Sequence, residues 1–448
     1  MQIITDLQLH SKYSRAVSPQ MNLEGISRWS SKKGINLVAT GDWTHPLWFK
    51  EIKENLEESS SGIFNLKSRN GHDRSLQNVK FLLSTEISSI YSQGGKVRRV
   101  HNLIFSPSIK ICEKVINELK KRGANLMADG RPIVGISSKD LLQMVLEIDE
   151  RILFIPAHIW TPWFSVFGSK SGFDSLEECF GELSDNIYAV ETGLSSDPIM
   201  NWQIKELETR SIVSFSDAHS GPKLGREATM FTCNIEHGTC NISYQDIADA
   251  IKQKPGSHLK IGYTIEFFPE EGKYHWTGHR SCNIRYNALE TKKKGVICPV
   301  CGQPLTVGVE NRVLDLSYKS YQPSDLTFLQ NKVGLTFVYD KEKKRRPFVS
   351  MVPLLEILLE TNDGSPTKAQ NEYERLTGLA TEFDILLKKP YPEIEKQAGE
   401  KLMTAIKTVR ERKVFVDPGY DGVFGKVKIF KETQQMSEEK TVSQQTLF

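Results

Sequence analysis

No apolar run in this 448-residue chain approaches the roughly 20 residues that span a bilayer, and mean hydropathy is −0.38, so a helical membrane protein is not expected. Excess charge of one sign is also missing. Lys and Arg number 58 against 55 Asp and Glu, a net charge of +3. Any nucleic-acid contact must then come from local patches rather than from the overall field. No basic segment followed by an apolar stretch opens the chain, which makes cytoplasm the expected compartment. There is no long-period internal repeat. Seven cysteines are an odd number, and three of them cluster late in the chain. That pattern points to metal binding rather than disulfides.

The length predicts two or three domains. Across residues 1–220, short apolar runs at 3–9, 35–40, 79–85, 97–105, 152–157, 187–191 and 212–216 read as strands. Between them, Ile109, Cys112, Ile116 and Leu119 recur at helical spacing, with Gly123 as a stop, and Leu141, Leu142, Val145 and Leu146 form a second stripe. Strand–helix alternation of this kind predicts an α/β domain with a mostly parallel sheet, open or closed into a barrel. Composition shifts after about residue 260. Residues 270–315 are rich in Gly, Lys, His and Cys, and 316–430 carry helical patterns at 352–361 and 371–387. A basic run, Lys341 to Arg346, ends at Pro347, and the polar stretch from about residue 431 reads as a disordered tail.

Each strand candidate leads to a residue able to bind a metal: His10, Asp42, Glu86, His101, His158, Glu191, and finally Asp217 with His219. Active sites of α/β proteins form at the carboxyl ends of their strands. Nitrogen and oxygen donors gathered there suit Zn²⁺, Mn²⁺ or Fe²⁺. One such residue alone is ordinarily a turn or surface residue; the repeated coincidence favours a shared metal centre.

A second metal site is written in His279-x2-Cys282 and Cys298-x2-Cys301, with Gly302 easing the turn. Such paired spacing predicts a tetrahedral structural Zn²⁺ site, with His275 as an alternative fourth ligand. Arg280, Arg285, Arg312 and Lys292 to Lys294 flank it, interleaved with Tyr274, Trp276 and Tyr286, a composition suited to DNA or to an ordinary solvated face. Residues 341–346 read the same way.

The stretch Asp6-Leu7-Gln8-Leu9-His10-Ser11-Lys12-Tyr13-Ser14 resembles the opening motif of the PHP (polymerase and histidinol phosphatase) superfamily. Thr40-Gly41-Asp42, Thr85-Glu86, His101, Pro156-Ala157-His158 and Ser216-Asp217-Ala218-His219 follow in the superfamily's order. The strings 156–164 (Pro-Ala-His-Ile-Trp-Thr-Pro-Trp-Phe) and 191–198 (Glu-Thr-Gly-Leu-Ser-Ser-Asp-Pro) are similar to the endonuclease Q family, and the likeness covers nearly the whole chain. Gln8 departs from the pattern, standing where the motif has its first histidine.

The resemblance implies a distorted (β/α)7 PHP barrel over 1–265, a zinc-binding module over 266–315, a helical DNA-binding domain over 316–430, and a tail over 431–448. It implies a metal-dependent endonuclease that hydrolyses the phosphodiester 5′ to hypoxanthine, uracil, xanthine or an abasic site. Metal ligands would be Gln8, His10, Asp42, Glu86, His101, His158, Asp217 and His219, with Asp217, Glu86 and His158 central to the reaction. Zn²⁺ is expected in the structural site and in the active site, with Mg²⁺ or Mn²⁺ also expected in the latter. Lys12, Arg15 and Arg226 are candidates for phosphate contact. Trp160, Trp163 and Phe164 could stack on a flipped base or simply pack the barrel mouth. The chain ends Gln444-Gln445-Thr446-Leu447-Phe448, resembling the peptide by which bacterial repair proteins bind the sliding clamp, through Gln444, Leu447 and Phe448. Damaged single- or double-stranded DNA and the clamp are the expected partners, no membrane is expected, and a monomer is expected.

Two other readings compete. A PHP phosphatase acting on a small phosphomonoester would show no salt-dependent DNA binding. A DNA- or clamp-binding protein with a degraded centre, favoured by Gln8, would bind DNA but leave it un-nicked.

Overall fold

A computed structural model describes residues 1–67, 78–234 and 241–430. The clamp-like peptide with Gln444, Leu447 and Phe448 lies outside the described residues. Among those described, no helix is long and apolar enough to cross a membrane.

The architecture is mixed α/β, and the seven strand runs all become strands, with ends shifted by up to three residues. Gln2–Asp6 pairs in parallel with Leu37–Ala39, which pairs in parallel with Lys80–Leu82. The chain then passes into a hairpin, Ser84–Gln93 with Lys96–Phe105. The second arm of that hairpin pairs with Leu153–Pro156. The Ile159 amide donates to the Glu191 carbonyl, and Ala189–Glu191 pairs in parallel with Ser211–Val213. Finally Leu9 bridges Ala218, and the His10 amide donates to the Ala218 carbonyl, which brings the last strand's exit back beside the first. Helices cross between strands as the stripes predict. Ile109–Lys121 starts under a Ser108 cap and Ser138–Ile148 under Ser137. Gly123 sits just past the first at φ 84°.

Neighbouring strand residues point to opposite faces, and here both faces are buried. Leu37, Leu103, Phe105, Leu153, Ile155, Val213 and Phe215 belong to one apolar cluster, whereas Val38, Ile104 and Phe154 belong to another that the helices cover. Continuous apolar runs rather than alternation are the consequence.

Three departures from expectation stand out. Residues 316–430 are not wholly helical. Leu326–Gln330, Thr336–Asp340 and Phe348–Ser350 are strands, and the last lies parallel to Leu259–Glu266 in the same ten-stranded sheet as Gln2–Asp6. A sheet therefore runs across the 265 and 315 boundaries. The helical pattern over 371–387 is two helices, Pro366–Thr377 and Glu382–Leu387, the second capped by Thr381. Cys233 is disulfide-bonded, contrary to the reading of the cysteines as metal ligands rather than disulfides.

Candidate metal centre

The strand exits converge. His10, Asp217 and His219 offer ligand atoms that all lie within 4.8 Å of one another, and so do Glu86, His101 and His158. Glu86 joins the two groups. It accepts Gln8 Nε2 at 2.6 Å and His101 Nδ1 at 2.6 Å, and lies 3.5 Å from His10 Nε2 and 3.9 Å from His158 Nε2. Asp217 Oδ1 is 3.2 Å from His10 Nε2 and 3.8 Å from His219 Nδ1. Glu86 and His101 sit within the hairpin rather than at strand ends, with Ser88 opposite His101 and Glu86 opposite Leu103.

The backbone is bent to aim these groups. Asp42, His158 and Asp217 have φ of 51°, 29° and 47°, a region that side chains larger than glycine's rarely adopt. Each turn is braced by buried groups. Asp6 accepts from the Ser216 and Gly225 amides, and Arg226 donates from Nε to the Ser216 carbonyl and from an Nη to that of Asp217. Glu191 accepts from the His158 and Gly193 amides. A Cβ on Gly193 would fall 2.4 Å from that of His158, so only glycine lets the two loops meet.

Charge in the centre is set by burial against close partners. Burial alone would strip the proton from His10, but Asp42, Asp217 and Glu86 hold its pKa well above the ordinary value. Burial opposes ionisation of Glu86, yet the charges of His101 and Arg131 and the neighbouring His10 ring keep it well below the usual range. Asp217 is likewise held down, against burial, by the His10 ring 3.2 Å away and by the charge of His219. Burial, with Arg131 and His158 adding to it, pulls His101 down to about 4 despite Glu86. Burial also lifts Glu191 to about 7.

The residues present fit a divalent cation. His10 Nε2, Asp217 Oδ1 and Gln8 Oε1 are buried without a hydrogen-bond partner. Each orphaned group of this kind costs about 1–3 kcal/mol, and two of them, His10 Nε2 and Asp217 Oδ1, lie 3.2 Å apart, as the members of a ligand set would. A neutral His101 is the form that binds metal.

Several expected residues play other parts. Asp42 is not in either ligand group. Its oxygens take the Ser11 amide at 2.6 Å, the Ser11 and Ser14 hydroxyls at 2.8 and 2.9 Å, and His10 Nδ1 at 3.0 Å. It stands behind His10 and turns Nε2 towards the centre. Trp160 is 1% exposed, donates to Asn201 and packs on Phe167, so it belongs to the core and does not stack on a base. Trp163 stands edge-on to Tyr274, and Phe164 covers the His101 ring at 4.7 Å. Lys12 is held by Glu51 at 2.9 Å, Arg15 by Asp129 at 3.2 Å, and Arg226 is spent on the Asp217 turn.

Sequence reading missed Arg131. Its Nη1 lies 3.3 Å from Glu86 Oε1, and its side chain keeps 26% of its surface exposed where Glu86 keeps 1%. The adjacent Gly130 was the available signal. A Cβ there would meet Asp42 Oδ2 at 2.5 Å, so that loop is pressed against the centre.

His279, Cys282, Cys298 and Cys301 form a third group within 4.8 Å. Against its burial, the Cys298 thiol is drawn down to about 6 by the Cys301 and Val300 amides and by His279, while hydrogen bonding to Cys301 pushes Cys282 up to about 11. One thiolate poised beside unshared thiols is a donor set suited to zinc. His275 is elsewhere, buried with its Nδ1 3.3 Å from the Ser195 carbonyl. The module is fastened to the loop after His158. Arg312 donates to the Phe167 and Phe173 carbonyls, Lys170 to that of Leu305, and Ser169 to that of Val307.

No family model matches the chain. An uncharacterized protein of Methanocaldococcus jannaschii is 29% identical over 339 residues, 70% of this chain, which spans only 39% of that protein's length. The uncharacterized protein YqxK of Bacillus subtilis is 26% identical over 405 residues, covering 89% of this chain and 90% of that protein. Among solved structures, the lesion-specific endonuclease PfuEndoQ of Pyrococcus furiosus matches with TM-score 0.78 at 28% identity, covering 98% of each chain. An endonuclease Q in complex with a 27-mer duplex substrate, its abasic lesion at the active site, matches with TM-score 0.79 at 29% identity, covering 99% of this chain and 100% of that one. Fold and sequence thus agree in a likeness to endonuclease Q over almost the whole chain.

Proposed function

We propose that this protein is a metal-dependent DNA-repair endonuclease that hydrolyses the phosphodiester 5′ to an abasic site or a deaminated base. The carrying observation is Glu86, buried between His10, His101, His158 and the Asp217 turn, in a chain whose full-length structural relatives cut or bind lesion-bearing DNA. The succession of strands from Gln2–Asp6 round to Ser211–Val213, brought back to its start by the Leu9–Ala218 bridge, supports reading the catalytic part as a PHP barrel.

Residues His10, Asp217, His219 and Gln8 would hold one cation, and Glu86, His101 and His158 another. Such cations make water nucleophilic at neutral pH and steady the departing oxygen. The protein's own residues do the rest. Asp42 fixes the His10 ring, Glu191 fixes the His158 turn, and Phe164 covers His101 from solvent. Asp217 faces the open side, its side chain 27% exposed, where it would orient the attacking water.

Arg131 is the group placed to contact the scissile phosphate. Only Nη1 is engaged by a carboxylate among the described residues, leaving the rest of the guanidinium fork for a non-bridging oxygen. Arg131→Met is expected to slow nicking on the order of 10²-fold, the scale for one lost electrostatic donor. Its Mn²⁺ affinity should stay near wild type. Unchanged nicking, or loss of metal affinity in step with activity, would show that Arg131 merely braces Glu86.

Incubation of the purified protein with oligonucleotides carrying uracil, hypoxanthine, xanthine or an abasic site, in Mn²⁺, Mg²⁺ or Zn²⁺, tests the function. Nicks on the 5′ side of a lesion are expected; intact strands under every metal would end the endonuclease reading. The C-terminal peptide with Gln444, Leu447 and Phe448 is proposed as a clamp ligand on its sequence alone.

A further inference from the structure

The basic run 341–346 lies far from the metal centre, and its surroundings have a use of their own. A cavity of about 370 Å³ is lined by Arg210, Lys254, Lys260 and the four cations of 343–346, against the carboxylates of Glu208 and Asp249. Seven positive groups against two negative ones leave an excess of five in one hollow, whereas the whole chain carries a net +3. A local excess of this kind makes a positive patch that the near-zero total charge does not reveal.

Its position follows from strand direction. Ser211 and Ile212 open the strand that leads to Asp217, and Leu259 to Ile261 open a strand lying level with Gln2, at the start of the strand that leads to His10. The cavity thus sits at the strand-start end of the sheet. Six residues of extended chain separate Ser211 from Asp217, about 20 Å at the usual rise. The hollow and the metal centre thus lie at opposite ends of the strand Ser211–Val213 and its exit.

The cations are not all spent on protein partners. Lys254, Arg345, Lys344 and Arg210 are held by Asp249, Glu208, Glu342 and Asp185. Lys260, Lys343 and Arg346 have no carboxylate partner among the described residues, and all three are exposed. Arg210 Nε is buried without a hydrogen-bond acceptor. A second cavity, of about 580 Å³, shares Glu208, Lys344 and Arg345 with the first but balances Lys319 and Lys341 with Asp325, Asp340 and Glu342, so the positive excess stays with the first hollow. The first hollow has no exposed aromatic face on which a nucleobase would stack.

We propose that this hollow is a second nucleic-acid site, which grips the phosphate backbone of a DNA segment separate from the one presented to the metal centre. The recognised chemistry is a row of phosphates, independent of base sequence. Such a site would hold the protein to DNA while the metal face samples it.

The test is stoichiometry, which needs no nicking and so stands apart from the proposed activity. Short lesion-free duplex is titrated into the full chain at low salt and followed by calorimetry and native mass spectrometry. Wild type is expected to take two duplexes, and Lys260→Glu/Lys343→Glu/Arg346→Glu one. The weaker phase should show a salt slope near 0.9 per phosphate contact, about 2.7 for three cations. The matching Gln substitutions, which remove charge without adding repulsion, should weaken the second duplex without changing the melting temperature. One duplex on wild type would overturn the proposal, as would two on the Glu variant. Loss of the tighter phase would overturn it too, by placing the hollow on the substrate path. Tripolyphosphate should displace the second duplex; tripolyphosphate binding with no second duplex would mean a compact oligophosphate and end the DNA assignment.

Discussion

Asp217→Ala is expected to leave a folded, DNA-binding protein whose nicking falls by about 10³-fold or more, at least 4 kcal/mol of barrier. The carboxylate stands at the meeting of His10 and His219, with Oδ1 buried and unpartnered. It is also, with His219, a partly exposed ligand of its group, on the side a substrate must approach. Its turn does not depend on its side chain. The His10 amide, Asp6 and Arg226 hold the backbone on either side. Alanine at φ 47° still adds about 1 kcal/mol of strain. Asp217→Asn is the cleaner partner, because asparagine tolerates that region and removes only the charge. Both variants should match wild type in anisotropy titrations with lesion DNA and lose activity in single-turnover assays. Asn at wild-type rate would mean that the charge on Asp217 is not used and that the site has been centred wrongly.

The centre was legible because hard divalent cations are held mostly by His, Asp and Glu, and because most of those residues here follow strands, where active sites form. Pattern could not tell a ligand from the group behind it. Asp42 follows its strand just as Asp217 does, yet its oxygens are filled by Ser11, Ser14 and His10. Only three-dimensional satisfaction of hydrogen bonds separates the two. Trp160 misled for a related reason: it lies two residues from a ligand, but its indole faces Asn201 and Phe167 in the core. Arg131 was hidden because it comes from an irregular loop between elements, with no periodicity to mark it. The strands within 326–350 were missed because a basic run separates Thr336–Asp340 from Phe348–Ser350, and the partner of the latter, Leu259–Glu266, lies some 80 residues earlier in the sequence. Long-range pairing of that sort overrides local pattern.

Cys298→Ser is expected to act on the zinc module with the largest effect on stability. Structural zinc in isolated fingers supplies about 10–16 kcal/mol of apparent binding energy at neutral pH, far more than the short elements of this module could replace. Its strands Thr277–His279 and Ile284–Tyr286 and its helix Ala288–Lys294 have almost no buried apolar surface of their own; Leu289, Val296, Ile297 and Val300 are all exposed. Without the metal, residues between about 277 and 306 should become protease-sensitive. Zinc content should fall by one ion per chain, and a separate low-temperature transition should appear by calorimetry. The α/β core should keep its own melting transition, because Val309 and Val313, past the last zinc ligand, pack into the main apolar cluster. The consequence then reaches the active site by contact. Arg312, Lys170 and Ser169 tie the module to the loop that follows His158, and Trp163 rests on Tyr274. Freeing that loop should weaken lesion-DNA binding about tenfold or more, the scale of 1.4 kcal/mol, while the metals at Glu86 stay bound. A Cys298→Ser protein that retains its zinc, its protease resistance and its DNA affinity would show that these four residues do not form a structural site.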